Sequence, residues 1–182
     1  KDGKCVDTSM GFTPLEGLMM GTRSGDIDPA AVDYIRVKLG IAPDEVVNYL
    51  NKKCGMLGVS GLSSDCRDLT AAAKEGNARA ALALEMVAYR VKKYIGSFAA
   101  VLGGADAVVF TGGIGEHSPY IRNLVLQDME YMGIKYDAAA NEAYPHAGVG
   151  VLSAPDSKVK VLVVPTNEEL SIARETLGLV KK

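Results

Sequence analysis

The chain has 182 residues, of which 48% are hydrophobic and 23% charged, a composition typical of a globular domain large enough to bury a core. The formal net charge of −2 gives no electrostatic basis for binding nucleic acid or an anionic membrane, and no apolar run approaches the roughly 20 residues that span a bilayer. The cysteines, Cys5, Cys54 and Cys66, are an odd number without a CxxC pair, so we interpret them as thiols in a reducing cytosol rather than disulfides or zinc ligands.

The first residues, Lys1-Asp2-Gly3-Lys4, include neither an initiator Met nor a signal peptide. Residues 4–8 are typical of the interior of a strand, so we expect the chain to be a fragment. The segment 1–28 is rich in glycine and has little helical periodicity. It predicts a short strand near Cys5, one helical turn over residues 14–20 and then a polar loop.

Two helices are expected next. Asp28-Pro29 combines an N-cap carboxylate with proline at the first helical position, and Gly40 ends the helix. The buried face of this helix is predicted to consist of Val32, Ile35 and Leu39. The next helix is expected over residues 43–53. It is predicted to bury Val46, Val47 and Leu50.

Two further helices are predicted over residues 68–76 and 77–102, and the second is the longest in the chain. Its apolar stripe, at alternating steps of three and four residues, consists of Leu84, Val87, Val91, Tyr94, Phe98 and Val101. Its small residues, chiefly alanines, predict close packing on a second side. We favour the core of the domain over a partner subunit for that packing.

Strands are predicted at residues 107–111, around 149–152 and at 159–165. The last contains a continuous apolar run, typical of a strand covered on both faces. A helix from Asn167 to about Val180 closes the chain. Alternating strands and helices predict an α/β layered architecture.

The most distinctive segment lies at residues 107–119, where an apolar run ends in Gly112, Gly113 and Gly115, and Ser118-Pro119 favours a helix start. A strand, a glycine turn and a helix N-terminus in this order can direct backbone N–H groups towards an anion or a nucleotide. Glycine has no Cβ to keep a ligand away from the backbone. The alternative, equally open on composition, is a tight turn that needs glycine only for its geometry.

Arg23 lies between Gly21 and Gly25 in a short polar loop. Its planar and permanently charged guanidinium suits a phosphate or a carboxylate. The alternative is an ion pair between Arg23 and Asp26 that stabilises a turn. Asp26 and Asp28 also permit a metal interpretation, but Asp28 is better explained as an N-cap.

In the segment 59–68, small residues precede Asp65, Cys66 and Arg67. This pattern suits the lining of a nucleotide's base or ribose, with Asp65 accepting hydrogen bonds from hydroxyl groups. The alternative is that Ser64 or Asp65 caps the helix that begins near residue 68.

In the segment 164–170, Thr166 and Glu169 fit a capping box. Glu168 then remains as a candidate direct or water-mediated Mg²⁺ ligand, because Mg²⁺ takes oxygen donors and keeps several waters. His117 is a candidate contact to a base or ribose, or a surface histidine. His146 has no functional indication, and neither histidine stands at zinc-ligand spacing from a second His or Cys.

Four blocks of the sequence, at residues 7–26 (DTSMGFTPLEGLMMGTRSGD), 60–68, 110–116 and 165–170, resemble the C-terminal half of the acetate kinase family. The resemblance extends along essentially the whole chain. A single glycine turn is weak evidence, whereas four blocks in the family's order are strong evidence.

The resemblance implies the fold of acetate and sugar kinases, Hsp70 and actin, in which two domains with ribonuclease H-like cores enclose the active site. The expected fold class is therefore α/β: a three-layer α/β/α, ribonuclease H-like (actin-like ATPase) C-terminal domain, truncated at its N-terminus. Residues 1–182 would form this nucleotide-binding and dimerisation domain. Residues 168–182 would pack towards an N-terminal domain outside the chain.

The resemblance also implies reversible phosphoryl transfer from ATP to acetate, giving ADP and acetyl phosphate, with Mg²⁺ or Mn²⁺ and usually in a cytoplasmic homodimer. Arg23 would stabilise the transferring phosphoryl group, Pro14 would line the pocket for the acetate methyl group, and Glu168 would serve Mg²⁺. The residues that would border the nucleotide are Gly113, Ile114, Gly115 and His117 on one side and Asp65, Cys66 and Arg67 on the other. The family often has Asn where His117 stands, and the residue at Cys66 varies.

The family's N-terminal domain and a phosphate loop just upstream of Lys1 would lie outside these residues, so we expect this polypeptide alone not to catalyse phosphoryl transfer. A propionate or butyrate kinase is one alternative, because a methylene is worth only about 1–3 kcal/mol of discrimination. The other is a non-catalytic nucleotide-binding or dimerisation module. A dinucleotide-binding domain is disfavoured because no G-x-G-x-x-G follows an early strand.

Overall fold

The computed structural model describes residues 1–181, in which five successive helices precede the first strand. The helices are α1 (Pro29–Leu39), α2 (Val46–Lys52), α3 (Gly55–Ser60), α4 (Cys66–Lys74), α5 (Ala78–Leu102), α6 (Gly112–His117), α7 (Pro119–Leu126), α8 (Ala138–Ala143) and α9 (Glu168–Val180). The strands are β1 (Ala107–Phe110), β2 (Gly150–Val151) and β3 (Lys160–Val163). No helix within residues 1–181 is both long enough and apolar enough to cross a bilayer.

The described chain divides into two units. Unit 1 contains residues 1–105 and 120–128, and unit 2 contains residues 106–119 and those from 129 onward. The segment with Arg23 and the start of α4 lies in unit 1. The glycine turn and the start of α9 lie in unit 2.

Unit 1 is organised around α5, a helix of 25 residues against which α3 and α4 pack. Asn77 caps α5 by accepting hydrogen bonds from the N–H groups of Arg79 and Ala80, at 3.0 and 3.1 Å. The buried side chains of α5 are Ala80, Ala83, Leu84, Val87, Ala88 and Ala99. The small residues of the pattern thus lie in the core, where they allow close approach of the neighbouring helices.

Helix α1 begins and ends where the sequence predicts. Asp28 accepts a hydrogen bond from the N–H of Ala30 at 2.9 Å, and Gly40 ends the helix in the left-handed conformation. The predicted buried face is wrong: Val32 and Ile35 are only half-buried and Leu39 is 53% exposed. The same holds in α2, where Leu50 is buried but Val47 is 57% exposed. Periodicity identifies a helix, but it does not provide a partner for every apolar side chain.

The strand expected near Cys5 and the helical turn expected over residues 14–20 are not present, since residues 1–28 form turns and bends. Pairing between distant residues organises this segment instead. The N–H of Gly17 donates to the Asp26 carboxylate at 2.8 Å, and the N–H of Asp26 donates to the Gly17 carbonyl at 2.9 Å. Local propensity does not reveal such a closed loop.

Unit 2 contains a mixed three-stranded sheet in the order β1–β3–β2. β3 pairs in parallel with β1, with Phe110 beside Val163, and antiparallel with β2. Val161 and Val163 are fully buried, as expected for the continuous apolar run. The three predicted strands are therefore confirmed, each shorter than predicted, and the architecture is α/β.

Candidate functional site

The loop that carries Arg23 is hydrogen-bonded to the last turn of α2 and to the segment that joins α2 to α3. The Thr22 hydroxyl donates to the Asn51 carbonyl at 2.8 Å, and the N–H of Cys54 donates to the Thr22 carbonyl at 3.0 Å. Arg23 itself is half-buried, and its Nη1 lies 3.5 Å from the sulfur of Met20. Because a thioether is only a weak acceptor, this contact does not neutralise the guanidinium charge.

A pocket of about 660 Å³ opens beside Arg23. Among the described residues, its lining consists of Met20, Gly21, Thr22, Arg23, Asn48, Asn51, Lys52 and Ser64. Two of these are basic, none is acidic, and most of the others are polar. A concave site with this charge balance suits an anionic ligand.

Asp26 forms its ion pair with Arg90 rather than with Arg23 within the part of the chain that the structure describes. The distance from Arg90 Nη2 to Asp26 Oδ2 is 3.1 Å. The interpretation that Arg23 forms a turn-stabilising ion pair with Asp26 is therefore wrong. The guanidinium of Arg23 remains available to bind an anionic ligand.

At the start of α4, Asp65 is the N-cap, which settles the alternative between Ser64 and Asp65. Its Oδ1 accepts a hydrogen bond from the N–H of Arg67 at 2.8 Å, and the Arg67 guanidinium reaches the same carboxylate at 2.5 Å. These hydrogen bonds from Arg67 lower the pKa of Asp65 to about 2, so the carboxylate is ionised at neutral pH. Cys66 is buried, with its sulfur 4.0 Å from the Thr70 hydroxyl. Cys66 can therefore face a ligand through its backbone only.

Pro14 is exposed in the bend that follows Phe12, whose side chain is fully exposed. It is not among the described residues that line the pocket beside Arg23. The structure brings Arg23 together with Ser64, the neighbour of Asp65, but it does not bring Pro14 into the same pocket.

In unit 2, the predicted glycine turn is a short helix, α6. Gly113 is exposed with open space around it, and Ile114 is 37% exposed. Gly115 is half-buried against β1, where an added Cβ would lie 3.3 Å from the carbonyl carbon of Phe110. The open side of this turn is therefore mostly bare backbone, which another molecule can approach closely.

Glu116 holds this turn in place, a role that the sequence analysis missed. Its Oε1 accepts hydrogen bonds from the N–H of Gly112 at 2.8 Å, the N–H of Thr166 at 2.9 Å and the Thr166 hydroxyl at 2.8 Å. The bond from the Thr166 backbone, followed by that from its hydroxyl, lowers the pKa of Glu116. The carboxylate thus connects the glycine turn to the residues just before α9. No local signal reveals this pairing, because Glu116 and Thr166 are 50 residues apart.

The capping box predicted for Thr166 and Glu169 is also wrong. Asn167 is the N-cap of α9 and accepts a hydrogen bond from the N–H of Leu170 at 3.0 Å, while Thr166 is bonded to Glu116. Glu168 is exposed in the first helical turn, where the helix dipole favours a negative charge.

Glu168 can serve a cation that arrives with its own ligands. Within the described part of the chain, no group of three or more His, Cys, Asp or Glu side chains is arranged to hold a metal ion. Mg²⁺ in kinase sites is commonly bound by one or two carboxylates together with substrate phosphates. One exposed carboxylate at the start of α9 fits such a substrate-borne cation better than a resident metal centre.

His146 lies beside His117, although no sequence pattern indicates a function for His146. The centroids of the two rings are 5.3 Å apart, and Nδ1 of His146 is 3.1 Å from the Glu116 carbonyl oxygen. A non-glycine residue with φ of 55° is uncommon, and this contact helps to hold His146 in that conformation. Both histidines are exposed next to the glycine turn.

We expect Glu116→Gln to lower the midpoint of thermal unfolding of the protein. Because the pKa of Glu116 is lowered in the folded state, its contribution is fully present above the ordinary value of 4.5 and is lost as the pH falls through the folded value. The difference in unfolding midpoint between the wild type and the variant should therefore shrink on acidification below pH 4.5.

Thermal unfolding followed by circular dichroism between pH 3 and 8 tests this prediction. Glu169→Gln is the control, because it removes a carboxylate in unit 2 that is exposed whereas Glu116 is half-buried, and it should show a smaller effect. Equal midpoints for the wild type and Glu116→Gln at pH 7 would contradict the role of Glu116.

Comparison with known proteins adds direct evidence on this chain. A family model described as the acetokinase family matches residues 1–174. The acetate kinases of Caldicellulosiruptor saccharolyticus and Acetivibrio thermocellus are 58% and 59% identical to the chain over its whole length, and the matches cover 46% and 45% of those proteins. The chain thus spans less than half the length of these curated relatives.

Solved structures agree with the sequence comparison. The crystal structure of Porphyromonas gingivalis acetate kinase matches with a TM-score of 0.92 and 49% identity, over 99% of this chain and 45% of that one. A propionate kinase from Francisella tularensis matches with a TM-score of 0.87 and 41% identity, over 96% of this chain and 44% of that one. The α/β architecture is therefore that of a fragment of an actin-like ATPase domain.

Proposed function

This chain belongs to the acetokinase family, and from that premise we propose that it forms the C-terminal, nucleotide-binding part of a kinase that phosphorylates acetate. The reaction is reversible transfer of the γ-phosphoryl group of ATP to acetate, which gives ADP and acetyl phosphate. The observation that carries the proposal is the placement of Arg23, whose charge faces a pocket lined by basic and neutral residues. Phosphoryl transfer needs this kind of fixed positive charge.

We assign Arg23 as the catalytic residue within this chain. An oxygen of acetate attacks the γ-phosphorus and the bond to the oxygen of ADP breaks, so charge spreads over the phosphoryl oxygens. Arg23 neutralises this charge with the N–H donors of its cationic guanidinium group. Acetate is ionised at neutral pH, as carboxyl groups generally are, so the step needs no general base to remove a proton from it.

The nucleotide contacts are proposed on the same basis. Gly113, Ile114 and Gly115 present backbone to the ligand, and His117 adds an exposed ring. The second group is Asp65, Cys66 and Arg67, in which the Asp65 carboxylate is shared with the helix cap and Arg67. A ribose hydroxyl would therefore compete with Arg67 for that carboxylate.

When bound together with ATP, Mg²⁺ would supply neutralisation of the phosphate charge. Glu168, at the exposed start of α9, would hold this cation directly or through a water. Pro14 would limit the space for the methyl group of acetate.

We further propose that residues 1–182 act as a single nucleotide-binding and dimerisation domain, in a homodimer. A polypeptide confined to these residues is not expected to transfer phosphoryl groups. The relatives that carry the name acetate kinase are more than twice as long, and in-line transfer needs groups on both sides of the phosphoryl group.

The proposed reaction is tested with a full-length protein that contains these residues, incubated with ATP, Mg²⁺, acetate and hydroxylamine. Acetyl phosphate formed by the enzyme gives acetyl hydroxamate, which is measured by its iron complex. We expect a signal that requires both ATP and acetate. If no hydroxamate forms under conditions in which another acetate kinase is active, the proposal is wrong.

Propionate is the second candidate substrate, favoured by the similarity to the Francisella propionate kinase. We expect kcat/KM for acetate to exceed that for propionate by roughly tenfold, since an extra methylene alters transition-state binding by about 1–3 kcal/mol. Butyrate should react more slowly still. Initial rates with the three acids at fixed ATP give these ratios, and a higher kcat/KM for propionate would make the protein a propionate kinase instead.

A further inference from the structure

Asp26 ends the loop that carries Arg23 and uses both of its carboxylate oxygens. Oδ1 accepts a hydrogen bond from the N–H of Gly17 at 2.8 Å. Oδ2 accepts one from the Tyr94 hydroxyl at 2.7 Å and lies 3.1 Å from the Arg90 guanidinium. The Asp26 carboxylate thus holds the end of this loop through residues distant in sequence rather than through a local turn.

Arg90 and Tyr94 come from one face of α5, since they are four residues apart on the same helix. Arg90 also donates to the backbone carbonyl of Asp26 at 3.1 Å. The Tyr94 ring contacts that of Phe98, with centroids 5.5 Å apart. α5 is the long helix around which unit 1 is built, so it gives the Asp26 end of the loop a fixed support.

The interactions keep Asp26 in its charged form. Desolvation acts to raise the pKa of Asp26, but the hydrogen bonds from Tyr94 and Gly17 and the positive charge of Arg90 lower it overall. Hydrogen bonds to an ionised acceptor are shorter and stronger than neutral ones. The hydrogen bonds and the ion pair of the Asp26 carboxylate are therefore fully formed at neutral pH.

Arg23 lies three residues before Asp26. Backbone hydrogen bonds also hold the loop at Arg23 itself. Its carbonyl accepts a hydrogen bond from the N–H of Met20 at 3.1 Å, and the N–H of Ser24 donates to the Leu50 carbonyl at 3.0 Å. The backbone on which the Arg23 guanidinium depends is thus held between α2 and α5. A shift of about 1 Å in a positioned catalytic group can cost on the order of 100-fold in rate.

We propose that Asp26, held by Arg90 and Tyr94 of α5, is a positioning residue that sets the place of Arg23 for phosphoryl transfer. This inference rests on the proposed function, because it requires Arg23 to act on the phosphoryl group. None of the three residues needs to touch substrate. Their effect reaches the reaction only through Arg23.

The first test is Tyr94→Phe in a full-length protein that contains this chain, with Tyr89→Phe as the matched control. Tyr89 lies on the same helix and is 63% exposed. Loss of the hydroxyl of Tyr94 should lower kcat for acetyl phosphate formation by about tenfold, with KM for acetate and ATP nearly unchanged. The control should keep wild-type values of both constants.

The second test is a double-mutant cycle between Asp26→Asn and Arg23→Ala. If Asp26 acts through Arg23, Asp26→Asn lowers kcat by up to about 100-fold in the wild type but not further in Arg23→Ala. If Asp26 only supports the fold, the two losses multiply in the double variant. The cycle therefore distinguishes positioning from general destabilisation.

Three results would overturn the inference: a kcat for Tyr94→Phe equal to that of the wild type, a loss in Tyr94→Phe matched by Tyr89→Phe, or multiplicative losses in the cycle. Failure of the proposed function has a different signature. In that case the wild type itself forms no acetyl phosphate, whereas failure of this inference leaves the wild type active.

Discussion

Arg23→Ala is expected to lower kcat for acetyl phosphate formation by about a thousandfold in a full-length protein that contains this chain. Arginines that stabilise a transferring phosphoryl group contribute on the order of 10³–10⁵ in kcat, and we take the lower end because Mg²⁺ would share this charge neutralisation in the proposed mechanism. KM for ATP and acetate should change much less, because the interaction forms mainly in the transition state. Steady-state kinetics with hydroxamate detection measures both constants.

Two variants make the Arg23 result specific. Arg23→Lys should recover only part of the loss, because an ammonium group cannot donate two parallel hydrogen bonds to phosphoryl oxygens. Arg36→Ala removes an arginine of α1 whose partner is Asp33, at 2.9 Å, and should leave kcat unchanged. A kcat for Arg23→Ala within about threefold of the wild-type value would show that Arg23 is not a catalytic residue.

Gly55→Ala is expected to have the second large effect, through the same loop. Gly55 is buried with φ of +62°, and an added Cβ would lie 2.2 Å from the Met20 carbonyl oxygen and 2.8 Å from that of Arg23. The methyl group must push the Arg23 loop away from α3. We expect a loss of about 3 kcal/mol or more in the free energy of unfolding and a decrease of kcat of at least about 100-fold.

Gly40→Ala is the matched control for Gly55→Ala, because Gly40 has φ of +66° but open space around its Cβ position and lies at the end of α1, outside the candidate site. It should cost only about 1 kcal/mol from backbone strain and leave kcat unchanged. Urea unfolding and steady-state kinetics on both variants separate the strain of positive φ from displacement of the loop. If the two variants lose the same stability and both remain active, contact with the Arg23 loop does not explain the glycine at position 55.

Local chemistry explains which features the sequence predicts well. The caps Asp28 and Asp65 each bond to an N–H two residues away, so a short window of sequence contains both partners. The strands β1 and β3 are predicted by their apolar runs for the same reason. These signals place the elements, and four sequence blocks then identify Arg23 and Glu168 as candidates.

The connections between loops could not be predicted in this way. Asp26 meets Tyr94 over 68 residues of sequence, and Glu116 meets Thr166 over 50. Neither pair has a local pattern, and in both cases a local partner, Arg23 for Asp26 and Glu169 for Thr166, was the wrong choice. Tertiary structure selects the partner when several charged or polar groups are close along the chain.

The prediction that one face of α1 is buried is wrong for a related reason. The apolar residues of α1 recur with helical spacing, but Leu39 remains more than half exposed. The pattern predicts the helix, whereas burial depends on which element, if any, packs against it. Similarly, the ring contact of His146 with His117 depends on how the chain returns to α6, and residue type alone does not indicate it.

We propose that these residues supply Arg23 and part of the nucleotide site to an acetate kinase whose chemistry needs groups beyond them. The most direct test measures ATP-dependent acetyl hydroxamate formation by the 182-residue polypeptide, with its mass of 19.2 kDa verified, beside a full-length protein that contains it. We expect activity from the full-length protein and none above background from the polypeptide. Activity of the 19.2 kDa polypeptide, or no activity of the full-length protein, would contradict this proposal.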